Sequence, residues 1–283
     1  MLIGMKFGIA YFPTDYGISP TELAPAMEER GFESLWVAEH THIPASRLSP
    51  YPAGGDLPSD YWHTLDPFIA LTAAALATRT LKVGTGICLI IEHDTIDVAK
   101  AVASIDHVSN GRFLFGIGGG WNREEMADHG TPFERRWKVM RERVEAMHEI
   151  WKKEESEYHG EFVDFGPMWL WPKPVQKPHP PIHIGGNGEH TLKRVISYGD
   201  GWMPNRGDVL GRLPELHRMA EEAGRGRIEV TLYGSARGGA AEIERNVQAG
   251  VDRMLWYVPA SGRDPALRRL EEITELTRPY LDS

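Results

Sequence analysis

The feature that most constrains this chain is an alternation: eight short apolar segments, each followed by a helical pattern. Residues 6–12 (KFGIAYF) read as the first strand. Ser19, Pro20 and Glu22 then supply an N-cap, a proline in the first turn and a capping glutamate for a helix that Gly31 ends. Residues 34–38 (SLWVA) and 80–89 (TLKVGTGICL) make the second and third strands, with a helix opened by Asp66 and Pro67 between them. A helix over 95–108, closed by Asn110 and Gly111, precedes a fourth strand that starts at Arg112. Thr131 and Glu134 form another capping box. Behind it Trp137, Met140, Val144, Met147 and Trp151 recur at three- and four-residue steps, the pattern of an amphipathic helix. Further strands near residue 182 and at 201–204, 228–233 and 253–258 alternate with helices at 189–199, 213–224, 240–249 and 264–277.

Eight strand–helix units predict an α/β fold of the (β/α)8 TIM barrel type, one domain over 1–283, with extended loops and an insertion at 155–180 before the fifth strand. A doubly wound sheet shares the local pattern. The count of eight favours the barrel, and so does the first turn (PTDYGI, 13–18), which cannot supply the glycine fingerprint of a dinucleotide-binding sheet. The lone Cys88 excludes an internal disulfide and any cysteine-cluster metal site. With 31 basic against 40 acidic residues, the net charge of −9 argues against a nucleic-acid or anionic-membrane partner. There is no stretch of 18 apolar residues and no leader pattern at the start, so a cytoplasmic protein is expected.

Barrel chemistry gathers at the C-terminal ends of the strands. There the second strand offers Glu39, His40, Thr41 and His42. His40 is the candidate proton donor or acceptor. Glu39 would orient it or pair with an arginine. The third strand contains Gly84, Gly86 and Ile87, and the fourth runs into Gly118, Gly119, Gly120 and Trp121. The fifth ends Gly185, Gly186, Asn187, Gly188, Glu189 just before a helix, a setting suited to a phosphate. Each glycine has a bland alternative in tight side-chain packing, and Asn187 or Glu189 could simply cap the helix. Three glycine-rich strand ends on one rim nevertheless point to a large, flat, phosphate-bearing ligand. Asn205, Arg206 and Arg237 are candidate rim contacts, and Trp62, Trp121, Trp169 and Trp171 candidate pocket walls. His40 and His42 resemble half of a metal site, but further ligands do not converge from the other strand ends, so no metal is expected.

The segments WVAEH (36–40), DPFIALTAAALATRTLKVGTGICL (66–89), DHVSNGRFLFGIGGGW (106–121) and PPIHIGGNGEHTLKRVISYGDGW (180–202) resemble the bacterial luciferase-like flavin and deazaflavin oxidoreductases. The resemblance covers nearly all of the first 204 residues in order. The Gly-Trp ending at residues 120–121 is similar to the branch that uses the deazaflavin coenzyme F420, with flavin mononucleotide (FMN) as the alternative cofactor. The resemblance implies a barrel whose insertions help to cover the cofactor. His40 would lie near the reactive ring, and a non-proline cis peptide at Gly86–Ile87 would support the ring's back face. It places Gly119, Gly120, Gly185 and Gly186 near the cofactor tail; by their own positions on the rim, Glu39, Trp121, Asn187, Glu189 and Arg206 are further candidate contacts. It also implies hydride transfer to or from a small organic substrate, homodimers, and a reductase that supplies reduced cofactor. An FMN-dependent monooxygenase and a non-catalytic cofactor-binding barrel remain alternatives. The related sugar-phosphate dehydrogenases carry a glutamate directly after the fourth-strand glycines. Here Trp121 stands there, and Glu124 and Glu125 follow slightly later, so that chemistry is not expected.

Overall fold

The computed structural model describes residues 4–234 and 239–281. Along the first half, β1 (Lys6–Tyr11), α1 (Pro20–Glu28), β2 (Ser34–Val37), α2 (Asp60–His63), α3 (Pro67–Leu76), β3 (Lys82–Thr85), α4 (Thr95–Val108) and β4 (Phe113–Ile117) follow one another. Next come α5 (Arg123–Asp128), α6 (Arg136–Lys152), β5 (Glu155–His159), β6 (Asp164–Trp169), β7 (Ile182–Gly185) and α7 (Thr191–Tyr198). β8 (Gly201–Met203), α8 (Leu213–Glu222), β9 (Glu229–Leu232), α9 (Ala240–Ala249), β10 (Arg253–Tyr257) and α10 (Arg263–Leu281) complete the chain. Eight parallel strands close in the order β1-β10-β9-β8-β7-β4-β3-β2, a TIM barrel. No helix of the described residues is long and apolar enough to cross a membrane.

The barrel closes because each strand's two faces do different work. Phe7, Ile9, Leu35, Val37, Phe113, Phe115, Ile182, Ile184, Met254 and Trp256 belong to the large core shared with the helices. The alternate residues Ala10, Trp36, Leu114, Met203, Tyr233 and Leu255 form a separate inner cluster. Gly84 stands opposite Trp36 in the β2–β3 register, and a Cβ there would meet the indole at 2.7 Å, so packing explains this glycine. The floor of the barrel is ionic. Arg253, fully buried, donates to both oxygens of Glu33 at 2.7 and 2.9 Å and to Thr231 at 2.8 Å, and pairs with Glu229 at 2.9 Å. Burial alone would raise these carboxyls, but the Arg253 guanidinium holds Glu33 well below the carboxylate range and Glu229 at about 2.

Three local readings need correction. Thr131 does not cap α6. Its hydroxyl donates to the carbonyl of Ile91, and a turn of 3-10 helix (Phe133–Arg135) leads into the helix instead. Ser19 likewise makes no side-chain cap; its hydroxyl meets that of Thr21. The insertion does not cover the open end of the barrel. Its hairpin β5–β6 lies along α6, where Tyr158 donates to Glu145 and Glu142 accepts from the Phe162 N–H. The chain then reaches the opposite rim, where Gln176 binds Asp106 at the end of α4 and the Phe113 carbonyl at the start of β4. Trp169 and Trp171 are consequently 74% and 56% exposed on this outer face and wall no pocket at the open end.

Candidate active site

The C-terminal ends of β2, β3, β4, β7 and β8 share one rim, and the candidate residues follow them directly. His40, three residues beyond β2, is held by a residue that the sequence does not single out. Glu125, 1% exposed on α5, accepts from His40 Nδ1 at 2.8 Å and from the Thr41 N–H at 3.1 Å. A carboxylate only accepts, so Nδ1 carries the proton. Nε2 has no hydrogen bond among the described residues, and it is not among the buried unpartnered atoms, so it is reachable from the mouth. The sequence signal for Glu125 is its position three residues after Asn122, a capping pattern. Asn122 does cap α5 by accepting from the Glu125 N–H at 3.3 Å, which frees the glutamate side chain to turn toward β2.

Aromatic rings surround the imidazole. His40 lies 5.1 Å from Tyr61 and 5.7 Å from Trp121 between ring centroids, and Tyr51 packs on both Tyr61 and Trp121. The connection after β2 supplies Tyr51 and, from α2, Tyr61, and the segment after β4 supplies Trp121, so the structure brings His40 and Trp121 together. Trp62, in α2 beside Tyr61, is half exposed and has the His63 ring tilted beside it at 6.1 Å instead. His42 turns away from His40. Its Nε2 meets Asp128 at 2.9 Å and its Nδ1 meets Thr41 at 3.0 Å.

Glu39 neither orients His40 nor pairs with an arginine. It is buried, with one oxygen on His93 Nε2 at 2.6 Å and the other on the Leu89 N–H. Burial would raise its carboxyl, but these bonds and the charge of His93 hold it below the usual range. The same pairing raises His93 against the opposing effect of burial. Glu39 therefore anchors the segment after β3.

That segment carries the cis bond at Gly86–Ile87 that the resemblance implies. β3 ends at Thr85, and the chain then crosses toward β4, with the Cys88 N–H donating to Gly116 at 2.8 Å. Ile87 is left half-buried over the inner cluster.

The glycines divide into two kinds. A Cβ at Gly118 or Gly185 would meet Ile87 at 2.7 or 3.0 Å, one at Gly119 would meet the Trp137 ring at 2.6 Å, and one at Gly120 would meet Met126 at 2.9 Å. These four make room for neighbouring side chains. At Gly186 and Gly188 a Cβ would find nothing nearer than the Thr191 hydroxyl, at 4.0 and 3.7 Å. Gly186 has φ +98°, which lets the backbone turn into α7. The N–H groups from Asn187 to His190 make no backbone hydrogen bond among the described residues. An open cradle at a helix N-terminus is suited to a phosphate. Asn187 itself is tied to the protein, donating to the Arg206 carbonyl at 3.0 Å and accepting from Arg212 at 2.5 Å. Arg206 is exposed and reaches the Pro52 carbonyl of the long loop at 3.4 Å, and Glu189 is exposed beside the cradle. Asn205 is exposed as well, and Arg237 lies outside the described residues. Arg194, in the first turn of α7, stacks on Trp137 at 3.8 Å, a cation that the sequence reading misses.

Comparison with known proteins agrees with this architecture. Residues 19–282 match the family model described as luciferase-like monooxygenase. An uncharacterised protein of Mycobacterium tuberculosis is 39% identical over 275 residues, covering 95% of this chain and 97% of that one. Two solved structures are similar in fold. One is the monooxygenase RslO1 of Streptomyces bottropensis, with a TM-score of 0.80 and 21% identity over 97% of this chain and 99% of that one. The other is the coenzyme F420-dependent tetrahydromethanopterin reductase of Methanopyrus kandleri, with a TM-score of 0.76 and 19% identity over 98% of this chain and 99% of that one.

Proposed function

Because the chain belongs to the luciferase-like monooxygenase family, we propose that it is a coenzyme F420-dependent oxidoreductase acting on a small organic molecule, with His40 as the group that handles the proton. One observation carries the reading: an imidazole fixed through Nδ1 by Glu125, with Nε2 accessible, inside an aromatic enclosure beside Gly86–Ile87. When bound, the deazaflavin would supply the hydride chemistry at its carbon 5.

The remaining work falls to the chain. The N–H groups after Gly186 and the positive end of α7 would hold the phosphate. Arg212 keeps Asn187 in place at the edge of that cradle. Ile87 would support the flat ring from below, and Tyr51, Tyr61 and Trp121 would exclude water from its open side. His40 Nε2 would take a proton from a substrate hydroxyl during oxidation, or return one to a carbonyl oxygen during reduction. Trp121 directly after the glycines supports the deazaflavin over FMN. The similar folds include both an F420-dependent reductase and a monooxygenase.

Fluorescence titration of the purified protein with F420 and with FMN, each oxidised and reduced, tests the reading. F420 is expected to bind at least about tenfold more tightly, equivalent to about 1.4 kcal/mol. Tighter binding of FMN would replace the reading with a flavin-dependent monooxygenase, and binding of neither would overturn both.

A further inference from the structure

Beneath His40 lies a buried carboxyl that the reading above leaves unused. Glu92 ends the turn of 3-10 helix Ile90–Glu92 after β3. It is 6% exposed, neither of its oxygens has a donor among the described residues, and its carboxyl lies within hydrogen-bonding reach of the Glu125 carboxyl, so that one of the two must carry a proton. The charged groups facing it come from each surrounding element: Glu125 on α5, Glu39 beyond β2 and Arg143 on α6. All three are committed elsewhere. Arg143 donates to the carbonyls of Ile90 and His93, Glu39 holds His93 and the Leu89 N–H, and Glu125 holds His40 and the Thr41 N–H.

A buried carboxylate without donors is far costlier than a buried carboxylic acid. Of two neighbouring carboxyls, the one that accepts hydrogen bonds ionises and the one that accepts none keeps its proton. Glu125 accepts two bonds and Glu92 none. We propose that Glu92 is a positioning residue for His40: it stays protonated at neutral pH, so that Glu125 alone carries the negative charge that fixes the imidazole with Nδ1–H inward and Nε2 free. Burial first, and then the charges of Glu125 and Glu39, push the Glu92 carboxyl up to about 9, against the opposing pull of Arg143. Above that pH two like charges face each other below the imidazole, and its hydrogen bond to Glu125 is disturbed.

The inference rests on His40 being the proton-handling group, but its test needs no cofactor. The full chain, labelled with 13C at the glutamate carboxyls and 15N in histidine, is titrated by NMR from about pH 6 to about pH 10. One carboxyl should titrate near pH 9, and the His40 ring nitrogens should show a step at the same pH. Both steps should vanish in Glu92→Gln. In Glu125→Gln the carboxyl step should move down by about one pH unit or more, because the neighbouring charge is gone. Wild-type protein in which every glutamate carboxyl titrates below pH 7 overturns the proposal, whatever the variants do. So does a His40 step that survives in Glu92→Gln. A divalent cation retained in equal stoichiometry by the purified protein also overturns it, since a cation would then neutralise the pair in place of the proton. Titrating the same wild-type sample with F420 and FMN keeps the two readings apart: failure to bind either leaves the carboxyl result intact.

Discussion

Replacing Glu92 by glutamine should remove one source of this protein's loss of stability in alkali. In the folded state the Glu92 carboxyl titrates at about 9, against 4.5 for an ordinary glutamate. Between those values the folded chain holds one proton that the unfolded chain has lost. Stability must then fall as pH rises, by up to about 1.4 kcal/mol per pH unit, and level off above the folded value. The contribution is complete below pH 4.5 and gone above pH 9. Glutamine has nearly the same shape as the protonated acid and does not titrate, so Glu92→Gln removes this slope and little else. Raising the pH from about 6 to about 8.5 should therefore cost the wild type on the order of 3 kcal/mol more than the variant. The assay is urea unfolding of both proteins across that range at constant ionic strength, with slopes compared to confirm that the same surface is exposed. The variant should already be the more stable at the acidic end, which lies above the unfolded value of 4.5, and its lead should widen toward the alkaline end. Parallel pH profiles would refute the reasoning, because they would mean that the Glu92 proton is lost equally from both states.

Other changes probe separate parts of the molecule. His40→Gln should lower turnover by about 10²- to 10⁴-fold while cofactor affinity changes only slightly, as measured by steady-state kinetics beside a binding titration. Gly188→Ala would put a methyl into the cradle before α7, with its carbon at an ordinary 3.7 Å from the Thr191 hydroxyl, so it should weaken cofactor binding and leave the melting curve unchanged. Gly119→Ala should do the opposite. Its Cβ would overlap the Trp137 ring, costing about 1–3 kcal/mol of stability in urea unfolding. Arg253→Met removes the buried cation that Glu33 and Glu229 share, leaving Glu33 the cation of Lys82 and Glu229 that of Lys6, and should cost up to about 3 kcal/mol near neutral pH. Both carboxyls are depressed in the fold, so their stabilisation is present above pH 4.5 and fades toward about pH 2. The gap between wild type and Arg253→Met should accordingly narrow on acidification, as thermal melts at several pH values would show.

The barrel is legible in the sequence because its evidence is local. Each strand carries its own apolar run and each helix its own period and stop, and eight repetitions of the pair leave few architectures to choose from. The observed strands sit within a residue or two of the expected ones almost everywhere. The exception is the third, where the apolar run 80–89 continues after pairing has stopped at Thr85, because the chain crosses toward β4 beyond Gly86. Local evidence also misleads where a side chain has a distant competitor. Thr131 looks like a helix cap and instead bonds to Ile91, forty residues earlier. The tryptophans of the insertion look like pocket walls, but a helix-to-strand connection starts on the far rim, and this one stays along α6 and α4.

The candidate site shows the same division more sharply. Position after a strand is enough to find His40, Trp121 and the cradle at Gly186 and Gly188. It is not enough to tell a glycine kept small for a ligand from one kept small for a neighbour. Gly119 and Gly185 are emptied by Trp137 and Ile87, which the sequence places far from one or both of them. Nor does spacing separate Glu39 from Glu125. Both are glutamates near a strand end, yet the one adjacent to His40 turns away to His93, and the one 85 residues distant reaches the imidazole. Which carboxyl serves the histidine is decided by competition for donors inside the closed barrel. His93 and the Leu89 N–H satisfy Glu39, the Thr41 N–H and the imidazole satisfy Glu125, and no donor is left for Glu92 among the described residues. A carboxyl left without a donor at that depth must be neutral or must have a counter-ion. Glu92 is the residue through which the site most directly reveals its protonation state.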